Sequence, residues 1–470
     1  MQPIQTEIVV LGAGPGGYAA AFYAADKGKK VILVDSSERL GGVCLNRGCI
    51  PSKALLHASQ VLSQAESAKE MGITFTKPQL DLAKLREWKN GIITKLSNGI
   101  KGLAQQRKVE VIIGRGHFEN SQLLRVENSE GQQFIQFEKA IIAVGSRPAI
   151  PAAFDLGNKR IMTSTEALEL DEVPETLLVV GGGYIGMELG TVYASLGSKV
   201  VMVEANASIL AGADPDLARP VLKYAQTHFQ ELRLSTKIVK MATSGKQIKV
   251  IFESEGNTKE ELYDRVLISI GRVPNSKDLG LENTQVELDE KGFVKVNNQQ
   301  KTKDASIYAI GDIAGGLMLA HKASKEAKIA IEAILGETSI FEHLIPAVVF
   351  THPEVAWVGL TETEAKAKGI THKVAKFPWG ASGRAMTIQS TEGMTKLIID
   401  PETDRILGVG IVGVGAGDLI SEGALAIEMG ATALDLAEVI HPHPTLSETM
   451  MEAAEVFYGH STHVYVKKSI

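Results

Sequence analysis

The feature that most constrains the fold is a unit that occurs twice. "EIVVLGAGPGGYAAAFYAADKGKKVILVD" runs from an apolar strand through Gly12-x-Gly14-x-x-Gly17 into a helix, then into a second strand ending at Asp35. "TLLVVGGGYIGMELGTVYASLGSKVVMVE" repeats the plan with Gly181, Gly183, Gly186 and Glu204, and in both copies the acid lies 23 positions after the first glycine. In a strand-turn-helix of this kind the first glycines let the backbone turn and approach a pyrophosphate. The third permits close helix packing, the helix N-terminal amides hold phosphate charge, and the acid binds a ribose hydroxyl. Two complete units imply two dinucleotides. After the second strand, "VEANASILAGADPDLA" offers no arginine for a 2′-phosphate and sets a carboxylate at the ribose, which favours NAD over NADP.

Two further segments echo each other: "KAIIAVGSRPAIP" at 139–151 and "DRVLISIGRVPN" at 264–275. Each reads as a buried strand closed by Gly, Arg and Pro, and so as the end of a dinucleotide-binding domain. "SIYAIGDIAGG" predicts another strand, and Asp312 at its carboxyl end lies where open α/β sheets bind ligands. From residue 346 the texture changes: "GMTKLIIDPETDRILGVGIVG" predicts a hairpin and "DLISEGALAIEMG" a helix. The expected organisation is a first dinucleotide-binding domain over 1–149, a second over 150–275, a return to the first over 276–345, and a separate α+β domain over 346–470.

With 470 residues, 44% of them hydrophobic, the chain is long enough for about three domains. A net charge of −6 and no basic stripe argue against nucleic acid or an anionic membrane as partner. No apolar run reaches the roughly 18 residues of a membrane span, and the N-terminus lacks the pattern of a secretory signal. The expected address is cytoplasmic, where a close cysteine pair reads as catalytic, redox-sensing or metal-binding.

The chain has only two cysteines, Cys44 and Cys49, both in "GGVCLNRGCIPSKALL". Residues five apart in one regular helix have Cα atoms about 8–9 Å apart, whereas a disulfide needs roughly 4.4–6.8 Å. If the two bond, they do not share a regular helix. Gly41, Gly42, Asn46 and Gly48 predict a loop around Cys44, and "IPSKALLHASQVL" a helix starting near Cys49, with Pro51 in its first turn. A thiol there feels the positive end of the helix dipole, which favours the thiolate. Zinc needs about four ligands, and no further cysteine or histidine cluster lies near in sequence. Buried unreactive thiols would leave the shared glycine-rich loop unexplained. At the far end, "HPHPTLSETMMEAAEVF" has Thr445 and Glu448 in capping-box spacing. Glu448 could instead orient His443 as an acid/base, and a redox cysteine pair, which needs proton management, favours that role.

On "GAGPGG", "GGVCLNRGCIPSKALL", "GGGYIGMELG", "IGRVPN", "YAIGDIAGGLMLAHKA", "EVAWVGLTETEA" and "HPHPTLSE", the chain resembles the pyridine nucleotide-disulfide oxidoreductases, and within them the dihydrolipoamide dehydrogenases, over nearly its full length. The resemblance implies two Rossmann-like domains, for FAD and then NAD, plus a C-terminal α+β dimerisation domain. It implies an obligate homodimer in which His443 and Glu448 of one subunit meet a Cys44–Cys49 disulfide of the other. Cys44 then exchanges with substrate and Cys49 faces the flavin. Lys53 lies near the flavin with Glu188 as its ion-pair partner, Gly116 and Asp312 are further FAD contacts, and Gly271 and Ala320 lie in segments around the nucleotides. His441 is a companion without a catalytic role. The implied partners are lipoyl-bearing proteins of 2-oxo acid dehydrogenase complexes or of a glycine cleavage system.

Two residues depart from the pattern. Tyr184 stands where this branch often has an aliphatic residue and where glutathione reductases have a tyrosine covering the flavin. Asp35 replaces the commoner glutamate. Glu204 and the missing arginines oppose a glutathione reductase, and the absence of C-terminal cysteines opposes a mercuric reductase. A flavoprotein acting mainly as a binding subunit is the alternative of another class, opposed by the intact Cys44, Cys49, His443 and Glu448 set.

Overall fold

A computed structural model describes residues 2–254 and 256–465. Strands β1 (Ile4–Leu11) and β2 (Val31–Asp35) flank helix α1 (Pro15–Asp26) and pair in parallel. They are followed by α2 (Gly42–Arg47), α3 (Cys49–Ser67), β3 (Glu110–Ile113), β4 (Arg115–Asn120), β5 (Leu123–Asn128) and β6 (Gly131–Ile142). The first sheet runs β3-β2-β1-β6-β5-β4, and strand Ile307–Ala309 joins it beside β6. Val31 and Leu33 pack on helices such as α1, while Ile32 and Val34 pack on Phe118, Leu124 and Val126 of β4 and β5; with both faces covered, Val31–Val34 are all buried and read as an unbroken apolar run.

The second unit repeats this order. Strands Glu231–Arg233, Lys199–Val203, Thr176–Val180, Arg265–Ile268 and Ile161–Met162 lie side by side, all parallel. Three antiparallel strands, Lys237–Ser244, Gln247–Ser254 and Asn257–Tyr263, precede its last long strand. The two echoing Gly-Arg-Pro segments pair with each other: Ser146–Pro148 runs antiparallel to Arg272–Pro274, a ribbon joining the ends of the two units.

The C-terminal sheet is antiparallel, ordered Ala347–Val349, Val355–Gly359, Ile406–Val412, Met394–Ile399, Lys373–Pro378. The expected hairpin is present, but its strands are buried almost throughout instead of alternating. The cause is that both faces are covered. A Cβ at Gly410 would come within 2.5 Å of Leu217 Cδ1 in helix Pro215–His228 of the second unit. On the other face, Val409 packs against Gly423 of helix Ala416–Glu428. No helix of the described residues is long and apolar enough to cross a membrane.

A buried cation ties the second unit to the C-terminal sheet. Lys396, 1% exposed, places Nζ 2.9 Å from Asp214, 3.0 Å from Asp216 and 2.6 Å from Glu362. Asp214 also accepts the amides of Glu362 and Thr363. Burial opposes the charge on Asp214, but hydrogen bonds from Thr363 and Lys396 hold its pKa down at about 2; hydrogen bonds from Lys366 and Lys396 hold Glu362 at about 2 as well. Carboxyls depressed by folding stabilise the native state above their unfolded pKa, and that contribution is lost as pH falls through the folded value. Guanidinium unfolding should therefore show stability declining from about pH 4.5 towards pH 2. Lys396→Met, which takes the cation from buried Asp214 while Lys366 and Lys376 still serve Glu362 and Asp216, should cost about 3–5 kcal/mol at pH 7. An unchanged unfolding midpoint in that variant would show that the network holds nothing.

Candidate active site

The six motif glycines divide the same way in both units. Gly12 and Gly181 have φ of +104° and +105°, a left-handed turn that side chains resist. At Gly17 and Gly186 a Cβ would lie 1.7 and 2.0 Å from the carbonyl oxygens of Gly12 and Gly181, so each helix can sit on its turn only without a side chain. Gly14 and Gly183 differ from both pairs. Their φ values, −71° and −73°, suit any residue, and an added Cβ would meet almost nothing. Neither backbone nor packing requires glycine there. What requires it is room at a helix N-terminus, the place where a pyrophosphate docks.

The terminal acids also correspond. Asp35 accepts the amides of Ala13 at 2.6 Å and Ser37 at 2.8 Å; Glu204 accepts those of Gly182 and Asn206, each at 2.7 Å. Burial raises the pKa of Asp35. One cleft runs from Gly12, Gly14 and Asp35 past Cys44, Cys49 and Lys53 to Asp312 and Ala320. A second is lined by Gly181, Gly183, Glu204, Asn206, Lys237 and Gly271. Tyr184, Ile185 and Arg272 line both. The cradle fits a dinucleotide in each cleft.

Gly116 stands outside these linings. It lies in β4, where a Cβ would come within 2.5 Å of Leu11 Cδ1, so packing alone accounts for the glycine. Asp312 sits in a single 3-10 turn after strand Ile307–Ala309, where it accepts a short hydrogen bond from Ser146 Oγ and lies 3.9 Å from Arg272.

Cys49 opens α3, as its sequence predicts, with Pro51 in the first turn. Cys44 departs from expectation. It lies in the short helix α2, not in a loop, because Gly41 and Gly42 take positive φ and start a turn that Gly48 then breaks, with φ −147° and ψ −110°. The break lets the two thiols meet although each is helical. In the dithiol form shown, the thiol of Cys44 donates to Cys49. That bond lowers the Cys49 pKa to about 7; burial opposes the shift, Lys53 assists it, and the same bond together with burial raises the Cys44 pKa. Lys53 Nζ lies 3.0 and 2.8 Å from the two carboxylate oxygens of Glu188 and 4.5 Å from the Phe350 ring centroid.

His443 and Glu448 form a pair, Nδ1 to Oε1 at 2.8 Å, and Glu448 also accepts the Thr445 amide at 2.7 Å. The capping-box reading fails here: the helix begins at Glu448 itself, Ser447 precedes it without a side-chain cap bond, and Thr445 Oγ1 turns to Pro442 O. His443 is 73% exposed, and neither it nor Glu448 lines the cysteine cleft. His441 is buried instead, with its ring held between Val439 O and Glu422. Sequence reasoning missed Ser146 and Lys237, which line the first and second clefts, and Phe350, which packs on Lys53 and gives its amide to Glu188; none is marked by its own spacing.

The arrangement is that of a two-dinucleotide disulfide enzyme, and comparison bears this out. The family model for pyridine nucleotide-disulphide oxidoreductases matches residues 6–327, and that for the dimerisation domain of the same family matches residues 345–454. The chain belongs to the pyridine nucleotide-disulphide oxidoreductase family, which implies FAD and NAD(P) as cofactors. Among its relatives, the dihydrolipoyl dehydrogenase of Vibrio parahaemolyticus is 47% identical over 469 residues, 99% of this chain and 98% of that protein. That of Haemophilus influenzae is 46% identical over 461 residues, 98% of this chain and 96% of that protein. Among solved structures, LpdA from Mycobacterium tuberculosis has a TM-score of 0.89 at 28% identity, covering 96% of this chain and 99% of that one. The HOCl-induced flavoprotein disulfide reductase RclA from Escherichia coli has a TM-score of 0.87 at 29% identity, covering 97% and 100%.

In the reduced protein, absorbance near 240 nm should report one thiolate forming with a midpoint near pH 7. Cys44→Ala should move that midpoint up most and Lys53→Met should move it up less, since both lower the Cys49 value and the Cys44 bond dominates. A midpoint unmoved by Cys44→Ala would contradict the assigned cause.

Proposed function

We propose that the chain is a dihydrolipoamide dehydrogenase, oxidising dihydrolipoyl groups with reduction of NAD through a Cys44–Cys49 disulfide and FAD. The observation that carries the reading is Cys49, a thiol of depressed pKa opening a helix in a cleft that shares one wall with a second dinucleotide cleft. The names of its relatives supply the substrate. FAD occupies the first cleft, with Gly12, Gly14, Asp35, Asp312 and Ala320 around it. NAD occupies the second. Glu204 sets a carboxylate where a 2′-phosphate would sit, with Asn206 beside it. The domains are those of the sequence reading, and the working form is a cytoplasmic homodimer. Its lipoyl-bearing partners belong to 2-oxo acid dehydrogenase complexes or a glycine cleavage system.

The exposed His443–Glu448 pair acts on the cleft of a second copy. Glu448 accepts the proton on Nδ1, which leaves Nε2 free to take one. One substrate thiol gives its proton to Nε2 and attacks Cys44 Sγ; the Cys44–Cys49 bond breaks, and Cys49 leaves as the thiolate that the helix N-terminus and Lys53 favour. The second substrate thiol, its proton passing to water, attacks the substrate sulfur of the mixed disulfide and displaces Cys44. Lipoyl disulfide departs, and Cys44 recovers a proton from His443. The chain has then gained two electrons, and FAD, when bound, supplies the step that passes them on as hydride to NAD.

Tyr184, 42% exposed between the two clefts, favours a second reading as a glutathione reductase-like enzyme. Assays of dihydrolipoamide with NAD beside glutathione disulfide with NADPH separate the two. Activity is expected in the first only, abolished by Cys44→Ser and lowered about 10²–10⁴-fold by His443→Gln. Turnover of glutathione disulfide alone would overturn the assignment.

A further inference from the structure

A buried ion pair lies behind the Asp312 turn. Lys322 and Glu326, on helix Ala320–Ile334, are 6% and 4% exposed, with Nζ 2.5 Å from Oε1. Each partner uses a remaining hydrogen-bonding position on one end of the turn. Glu326 Oε2 accepts the Gly311 amide at 2.7 Å, and Lys322 Nζ donates to the Gly315 carbonyl at 2.9 Å. The turn has Gly311, Gly315 and Gly316 at positive φ, positions where the backbone has unusual freedom. Holding the Gly311–Gly315 segment from both ends removes that freedom. A buried ion pair contributes little net stability compared with an apolar pair of similar volume, so stability alone does not account for it.

The same helix begins at Ala320, which lines the first cleft together with Asp312. It also packs against α1, where a Cβ at Gly16 would come within 3.2 Å of Ala323 Cβ. One ion pair thus makes the Asp312 turn and the start of helix Ala320–Ile334 a single rigid wall beside the phosphate-binding turn of β1 and α1. The other charges facing this wall are Asp312 and Arg272. We propose that Lys322 and Glu326 are a positioning pair for the flavin: they set Asp312 and the Ala320 amide end at fixed places along the cleft and touch no reacting atom. The inference rests on the reading that FAD occupies the first cleft.

The test compares purified holoenzymes by FAD release on dilution, flavin fluorescence and thermal unfolding. The double variant Lys322→Met/Glu326→Leu replaces the pair by apolar side chains. It should unfold close to the wild-type temperature yet hold FAD about tenfold more weakly, with raised flavin fluorescence. Wild-type FAD retention and fluorescence in the double variant would overturn the proposal. Should that variant fail to fold, Glu326→Gln and Glu326→Ala decide. The amide keeps an acceptor for Gly311 and should retain FAD near the wild-type level, while alanine should lose it about tenfold. Equal retention by the two would overturn the proposal as well. Wild-type protein that binds no FAD at all would instead overturn the assignment of the cleft.

Discussion

The structure turns on one carboxylate. Glu188, buried in the first turns of helix Tyr184–Ser195 of the second unit, binds Lys53 of α3 with both oxygens and accepts the amide of Phe350 from the C-terminal domain. Three parts of the chain meet there. The contact holds because each group would be costly alone: an unpaired buried carboxylate loses several kcal/mol of hydration, and Lys53 would lose its partner at the edge of the same cleft. Its consequence is positional. Lys53 lies one turn from Cys49 on α3, so the pair that joins the domains also holds the redox helix where it lines the first cleft.

Around this junction the chain uses one device twice. A left-handed glycine turns the backbone, a second leaves room at a helix N-terminus, and a third lets that helix settle on the turn. The acid that ends the next strand holds the turn through its amide. The ribbon between Ser146–Pro148 and Arg272–Pro274 then brings the ends of the two units together, so that Tyr184, Ile185 and Arg272 face both clefts. A short path for hydride between two bound dinucleotides is what such a shared wall provides.

What was legible in the sequence was set by short-range chemistry. The glycine units with their acids, the helix opening at Cys49 and the hairpin of the C-terminal domain all depend on residues within about one unit of each other, so spacing alone identifies them. What was not legible depends on distant partners. Nothing near Lys396 announces Asp214, and nothing near Glu188 announces Phe350. Two local signatures also misled. The glycines around Cys44 read as loop-formers, yet two of them start a helix and one ends it. Thr445 and Glu448 have the spacing of a cap, but His443 takes one oxygen of that carboxylate and the helix starts two residues later than the box requires.

The central claim is that one site is assembled from two copies, because no histidine lines the cysteine cleft among the described residues and the His443–Glu448 pair faces solvent in the single chain. Heterodimers carrying Cys44→Ser on one subunit and His443→Gln on the other, isolated through two different affinity tags, test it directly. The account predicts about half of wild-type dihydrolipoamide turnover per dimer, since one of the two sites then contains neither substitution. Turnover no higher than that of either parent homodimer would mean that each chain builds its own site, and would contradict the account.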